Sequence, residues 1–157
     1  MKFRIIAVGR SGPKPVYSMV ADYQKRLQRI APTTLIEVVE ERRTAASRGN
    51  IEQLLSKEAG RIRDKIPPGA LLVPLEITAP ALPSRELAAK ISHHRDSGVG
   101  EICFLIGGPD GLHSSLLNQP WRLSFGPMTF PHMLVRVMLL EQIYRAMTIL
   151  ERIPYHR

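Results

Sequence analysis

Apolar residues fall in short blocks along this chain, and the blocks alternate between two spacings. Phe3 to Val8 is a β-type apolar run that ends at Gly9, and it predicts a strand. After the loop Gly12-Pro13-Lys14-Pro15, the positions Val16, Met19, Val20, Tyr23, Leu27 and Ile30 follow helical spacing, which ends before Pro32. Thr34 to Val39 reads as a second strand. Glu40 to Gly49 is polar and charged, which predicts a mobile surface loop.

Asn50 has the chemistry of an N-cap, with Gln53 placed to reach back to it. The helix that follows carries Ile51, Leu54, Leu55, Ile62 and Ile66 on one face and stops at Pro67-Pro68-Gly69. Ala70 to Leu75 is a continuous apolar run, as expected for a strand covered on both faces. Pro74 cannot donate to a ladder, so the strand ends there or lies beside an unpaired position. Ser84 is the expected cap of a helix running to about His94, terminated by Gly98. Glu101 to Ile106 is another buried strand, and Trp121 to Phe125 is a candidate fifth.

This alternation predicts one α/β domain over residues 1–157, built on a parallel, doubly wound sheet. Ligands of such sheets sit at the carboxyl ends of strands. Leu75-Glu76-Ile77 and Ile106-Gly107-Gly108 occupy that kind of position.

Composition narrows the class. With 44% hydrophobic and 23% charged residues the chain is globular, and no apolar run is long enough to span a membrane. The start, Met1-Lys2-Phe3-Arg4-Ile5-Ile6, is strand-like and too short for a signal peptide, and the single cysteine, Cys103, suits a reducing cytoplasm. The formal net charge of +8 favours a polyanionic partner, nucleic acid above all. Basic residues recur at Lys25-Arg26, Arg42-Arg43 and Arg61-Ile62-Arg63, a distributed surface rather than a tail.

The candidate chemistry is concentrated in the last third. Gly107-Gly108-Pro109-Asp110-Gly111 is neither a Walker A loop nor a Rossmann fingerprint, and by itself it is a tight turn or a ligand cradle. Leu123 to His132 is a second irregular segment lying directly before a helix. In that helix, about Leu134 to Arg152, Glu141, Arg145, Thr148 and Arg152 form a polar stripe, with Glu141 and Arg145 spaced for an ion pair. Arg136 falls on nearly the opposite side, among Leu140, Ile143 and Met147. A cation in the first turn opposes the helix dipole, so Arg136 requires an anion, an interface carboxylate or carbonyls, unless it snorkels outward. The apolar face around it suggests packing on a second subunit as well as on the core. His132 either holds the helix entrance or does chemistry. His93 and His94 lack further ligands, so no metal is expected, and Cys103 reads as a packed thiol. Tyr155-His156-Arg157 offers stacking, proton handling and a phosphate contact.

Taken in order, these motifs resemble the RlmH family of ribosomal RNA large-subunit methyltransferases, in the SPOUT superfamily. The resemblance runs through Ile6-Ala7-Val8-Gly9, Lys25-Arg26-Leu27, Leu75-Glu76-Ile77 and Ile106-Gly107-Gly108-Pro109-Asp110-Gly111-Leu112. It continues through Met128-Thr129-Phe130-Pro131-His132, Leu134-Val135-Arg136-Val137, Glu141-Gln142-Ile143-Tyr144-Arg145-Ala146 and Pro154-Tyr155-His156-Arg157. Thr78-Ala79-Pro80 departs from the glycine and lysine that family members usually carry there.

The resemblance implies a trefoil knot within about residues 70–157, a homodimer, and S-adenosylmethionine (SAM) bound bent in the knot. It implies methylation of N3 of a pseudouridine in the helix 69 loop of 23S rRNA on assembled ribosomes. By position it assigns the SAM pocket to Leu75, Gly107, Gly108, Phe125, Gly126, Pro127, Met128, Thr129 and Phe130. His156 is then the candidate proton acceptor, Tyr155 a stacking group, and Arg157 and Arg136 candidate anion stabilisers, the tail acting across the dimer. A non-catalytic RNA-binding factor of the same fold, and a metabolic enzyme binding a nucleotide, are the competing readings.

Overall fold

The computed structural model describes residues 1–10, 12–44 and 50–156. In chain order the elements are β1 (Lys2–Val8), α1 (Lys14–Gln28), β2 (Thr33–Val38), α2 (Ile51–Arg63) and β3 (Leu71–Pro74). Then follow α3 (Ser84–Asp96), β4 (Glu101–Ile106), the single turn α4 (Ser114–Leu117) and α5 (His132–Leu150).

The four strands form one parallel sheet in the order β2-β1-β4-β3. Phe3 pairs with Thr33 on one side and Ile102 on the other, and Val73 pairs with Phe104. Alternate residues point to opposite faces of a strand. Phe3, Ile5 and Ala7 of β1, with Ile102, Phe104 and Ile106 of β4, therefore join the core under α1, α3 and α5. Ile6, Val8, Cys103 and Leu105 join a second core under α2 and α4. Both faces are covered, which is why the two central strands read as unbroken apolar runs. Burial at this depth holds the Cys103 thiol up to about 12, out of the nucleophilic range.

α5 packs against both α1 and α3. Leu139, Leu140, Ile143 and Ala146 are fully buried on it, each large aliphatic contributing about 1.5–3 kcal/mol. With neighbours on both sides, more than one stripe of the helix is covered. Thr148, expected on a polar surface stripe, is buried and donates to the Arg145 carbonyl (2.8 Å).

Three further expectations change in the structure. Trp121–Phe125 is not a fifth strand but an irregular segment touching the sheet through single bridges, Leu75 with Leu123 and Ala81 with Ser124. Ser84 opens α3 without capping it, and its hydroxyl instead donates to Gln142 of α5 at 2.7 Å. The loop at 40–44 is present, but Glu40, Glu41 and Arg43 in it are tied by ion pairs rather than standing free, while 45–49 lie outside the described residues. The cap at Asn50 is present, its side chain accepting from the Gln53 amide. β3 stops at Pro74, whose carbonyl accepts from Leu123, while the Leu75 amide continues to the Leu105 carbonyl. Among the described residues no helix is long and apolar enough to cross a membrane.

Candidate active site

At the carboxyl ends of β3 and β4 the chain leaves the sheet in two directions, and a cleft of about 870 Å³ opens between them. One wall is Leu75-Glu76-Ile77, directly after β3. The opposite wall is the turn from Ile106 to Leu112. The third side comes from residues 123–126 and 128–132, and Val135 of α5 adds to it.

Backbone geometry shapes each wall. A Cβ on Gly107 would lie 2.3 Å from the carbonyl carbon and oxygen of Gly111, so the turn closes on itself only with glycine there. The Gly111 amide donates back to the Gly108 carbonyl (3.0 Å). Across the cleft, Ser124 fixes the irregular segment: its hydroxyl accepts from the Gly126 amide (2.9 Å) and donates to the Gly126 carbonyl (3.0 Å). Its own amide donates to the Pro80 carbonyl (3.2 Å), while the Glu76 amide donates to the Leu123 carbonyl (3.0 Å). Residues 74–81 thus hold 123–124 from two sides.

The charged groups of the cleft are mostly spoken for. Arg122 pairs with Glu76 at 3.0 Å, and the Thr78 hydroxyl donates to the same carboxylate. Arg43 Nε donates to Asp110 Oδ2 at 2.6 Å, and its Nη1 reaches Glu40 (3.0 Å) and the buried Glu58 (3.3 Å). His132 stands apart. Burial and the Arg136 guanidinium hold its imidazole below the ordinary value, with Arg43 adding to this and Glu40 opposing it. What remains is a cleft with an apolar lining, two phenyl rings from Phe125 and Phe130, and many backbone groups. Among the described residues no cluster of three or more His, Cys, Asp or Glu is placed to hold a metal ion.

Comparison with known proteins gives this cleft its context. Residues 1–156 match the family model described as "Predicted SPOUT methyltransferase". The chain belongs to the SPOUT methyltransferase family. It is 42% identical over 158 residues to a Magnetococcus marinus protein named "Ribosomal RNA large subunit methyltransferase H", with 99% of each chain covered. A Pelobacter propionicus protein of the same name is 40% identical over 156 residues, again with 99% of each chain covered. Among solved structures, a probable methyltransferase from Bordetella pertussis superposes with a TM-score of 0.54 at 14% identity, covering 93% of this chain and 96% of that one. A probable methylase family protein from Haemophilus influenzae gives 0.53 at 15% identity, covering 96% of this chain and 66% of that one. At such identities these two establish a shared fold alone.

Within this SPOUT chain the structure gathers Leu75, Gly107, Gly108, Phe125, Gly126, Met128, Thr129 and Phe130 around one cleft. Pro127 is not among its lining residues. The remaining candidates lie elsewhere. Tyr155 packs edge-on against Tyr144 (4.8 Å), under the Arg145 guanidinium, and donates to Glu141 at 3.1 Å. Burial, with hydrogen bonds to Tyr23 and Glu141, pushes its phenol above the ordinary range. His156 Nε2 accepts from Arg85, and its Nδ1 lies 3.4 Å from Arg145. The tail therefore lies on α3 and α5, beside a second groove of about 460 Å³ that includes Met19, Tyr23, Phe125 and Glu141. Arg157 lies outside the described residues.

Arg136 departs furthest from the expectation of an anion-binding role. It is 0% exposed, and its Nη2 donates to the carbonyls of Val8 (2.6 Å) and Gly9 (3.0 Å), with Glu37 at 3.6 Å from Nη1. α5 begins at His132, so Arg136 lies in its second turn rather than its first, and the carbonyls at the end of β1 compensate its buried charge. It cannot meet a phosphate from there.

Sequence reasoning also missed Arg43, Glu40 and Glu58 as parts of this region. Asp110 in the glycine turn was a visible signal. Nothing in the polar stretch around Arg43 distinguished it from its neighbours, because its partners are up to 67 residues away.

Proposed function

We propose that this protein is a SAM-dependent methyltransferase that modifies N3 of a pseudouridine in the helix 69 loop of 23S rRNA, on the assembled ribosome and in the cytoplasm. The observation that carries this reading is identity of 40–42% over 99% of the chain to two proteins named as ribosomal RNA large subunit methyltransferases. The net charge of +8 suits a ribosomal RNA partner.

The cleft suits SAM. Its volume is in the range that encloses a small cofactor. Leu75 and Phe125 bring apolar side chains to the cleft where an adenine would sit, the Gly107–Gly111 turn lets backbone approach closely, and Phe130 adds a second aromatic side chain to the lining. When bound, SAM supplies a methyl group already activated on a sulfonium. The residues of the chain then have to orient that group, exclude water, and accept or stabilise what the target imide gives up on losing its N3 proton.

One domain over residues 1–157, knotted within about 70–157, fits the hydrogen bonds by which residues 74–81 embrace 123–126. A homodimer is part of the same reading. Tyr17, Met19 and Leu134 expose apolar surface on α1 and α5, Met19 at 49%. A partner seated there would lie beside Tyr155 and His156, and the tail they open would complete the partner's cleft.

The test is direct. Deleting the gene should abolish N3-methylated pseudouridine in 23S rRNA, and the purified protein should bind SAM by calorimetry. Unchanged modification defeats the substrate assignment. No SAM binding at millimolar ligand would point to a non-catalytic RNA-binding factor.

A further inference from the structure

The tail histidine does not line the cleft of its own chain, whereas another histidine does. We propose that His132 is the proton acceptor for methyl transfer, facing the target imide from the helix α5 side of the cleft; this rests on the methyltransferase reading above.

Three observations carry it. First, His132 opens α5 and lines the cleft itself, on the side that Val135 shares. Second, it is the cleft's uncommitted titratable group. Glu76 is held by Arg122 and Asp110 by Arg43, but among the described residues the His132 imidazole has no hydrogen-bond or ion-pair partner. Third, its surroundings are built. Gly9 at the end of β1, in the left-handed region at φ +83°, leaves open a point that a Cβ would otherwise occupy. His132 Nε2 lies 3.3 Å from that point and Glu40 Oε2 lies 3.0 Å from it, with Arg136 Nη2 at 3.8 Å.

The groups facing His132 set its charge. Arg136 comes from α5 and is held on the Val8 and Gly9 carbonyls; Arg43 and Glu40 come from the segment after β2. Glu37 of β2 lies behind Arg136, and Asp110 is tied to Arg43. Burial and the two guanidiniums, against Glu40, hold the imidazole below its ordinary value, which favours the form with a free nitrogen lone pair. Glu40, close by, favours the imidazolium that forms next.

In the step, the N3–H proton passes to the imidazole. The nitrogen electron pair forms the bond to the methyl carbon as the carbon–sulfur bond breaks and its pair returns to sulfur. The imidazolium then releases one proton to water for each methyl transferred.

The experiment compares wild type with His132→Gln and His132→Asn on ribosomal substrate, measuring single-turnover rates from pH 5 to 9 alongside SAM affinity by calorimetry. The expected result is a rate lower by on the order of 10²–10⁴ with SAM affinity within about threefold. The wild-type acid limb should fall below pH 6.5, the ordinary histidine value, and should vanish in both variants. A variant that keeps the wild-type rate or the acid limb overturns the proposal, as does loss of SAM affinity in parallel with rate. A wild-type protein that methylates no RNA overturns the underlying reading along with it, whereas active wild type with unchanged variants overturns this inference alone.

Discussion

Arg43 and Asp110 are joined by a 2.6 Å ion pair that ties the segment after β2 to the glycine turn after β4. The same guanidinium reaches Glu58, 2% exposed on α2, whose carboxylate also accepts from the Glu41 amide. One side chain therefore braces a wall of the cleft against a helix on the far face of the sheet.

Replacing Arg43 by leucine strands the buried Glu58 carboxylate. We expect a loss of about 2 kcal/mol in denaturant unfolding, below the full cost for a buried pair because Arg43 is partly exposed. SAM affinity should fall about tenfold as the turn loosens. A double replacement, Arg43→Leu with Glu58→Leu, should recover most of the stability and little of the affinity. Recovery of both would show that the brace acts on the fold alone.

Gly107 and Gly108 are adjacent but differ in what a methyl group would meet. At Gly107 it strikes backbone at 2.3 Å; at Gly108 it meets the Val8 side chain at 3.2 Å. Gly107→Ala should weaken SAM binding more than tenfold, and Gly108→Ala by less than about threefold. Isothermal titration of the two variants, with far-ultraviolet dichroism to verify folding, decides the matter.

Arg136 holds the end of β1 to the start of α5. Arg136→Met keeps much of the volume but leaves the Val8 and Gly9 carbonyls without that donor, and should cost about 2–4 kcal/mol in urea unfolding. An exposed arginine would cost less than about 0.5 kcal/mol. This measurement separates a structural arginine from one reserved for RNA.

Tyr155 anchors the tail through Glu141, which Arg145 also grips at 2.6 Å. Deleting residues 155–157 should leave SAM affinity within about threefold, because Tyr155 and His156 do not line the cleft of their own chain, while abolishing methylation of the ribosome. Mixing the deletion mutant with a cleft mutant such as Gly107→Ala should restore part of the activity if the tail serves the partner. Full activity of the deletion mutant alone would remove the tail from the mechanism.

Much of this protein is written in local order. The strands at Phe3–Val8 and Glu101–Ile106, the cap at Asn50 and the stop at Pro74 follow from apolar spacing, capping chemistry and the missing amide of proline, all of which act within a few residues. The lining of the cleft was legible for a related reason: parallel sheets place ligands at strand ends, and the glycines there mark where backbone has to come close. Other features depended on residues far apart in the chain. Trp121–Phe125 has the composition of a strand, yet residues 74–81 take up its backbone groups in single bridges. Thr148 has the spacing of a surface position, yet α1 and α3 together cover α5. Arg136 needed negative charge, but only the folded chain brings two carbonyls from β1 to it across more than 120 residues. His132 stood as either a turn residue or a chemical one, and the neighbours that bear on it, Gly9, Glu40 and Arg43, are concealed by sequence distance. Local patterns encode elements and their ends; which charges meet in the closed core is decided by packing.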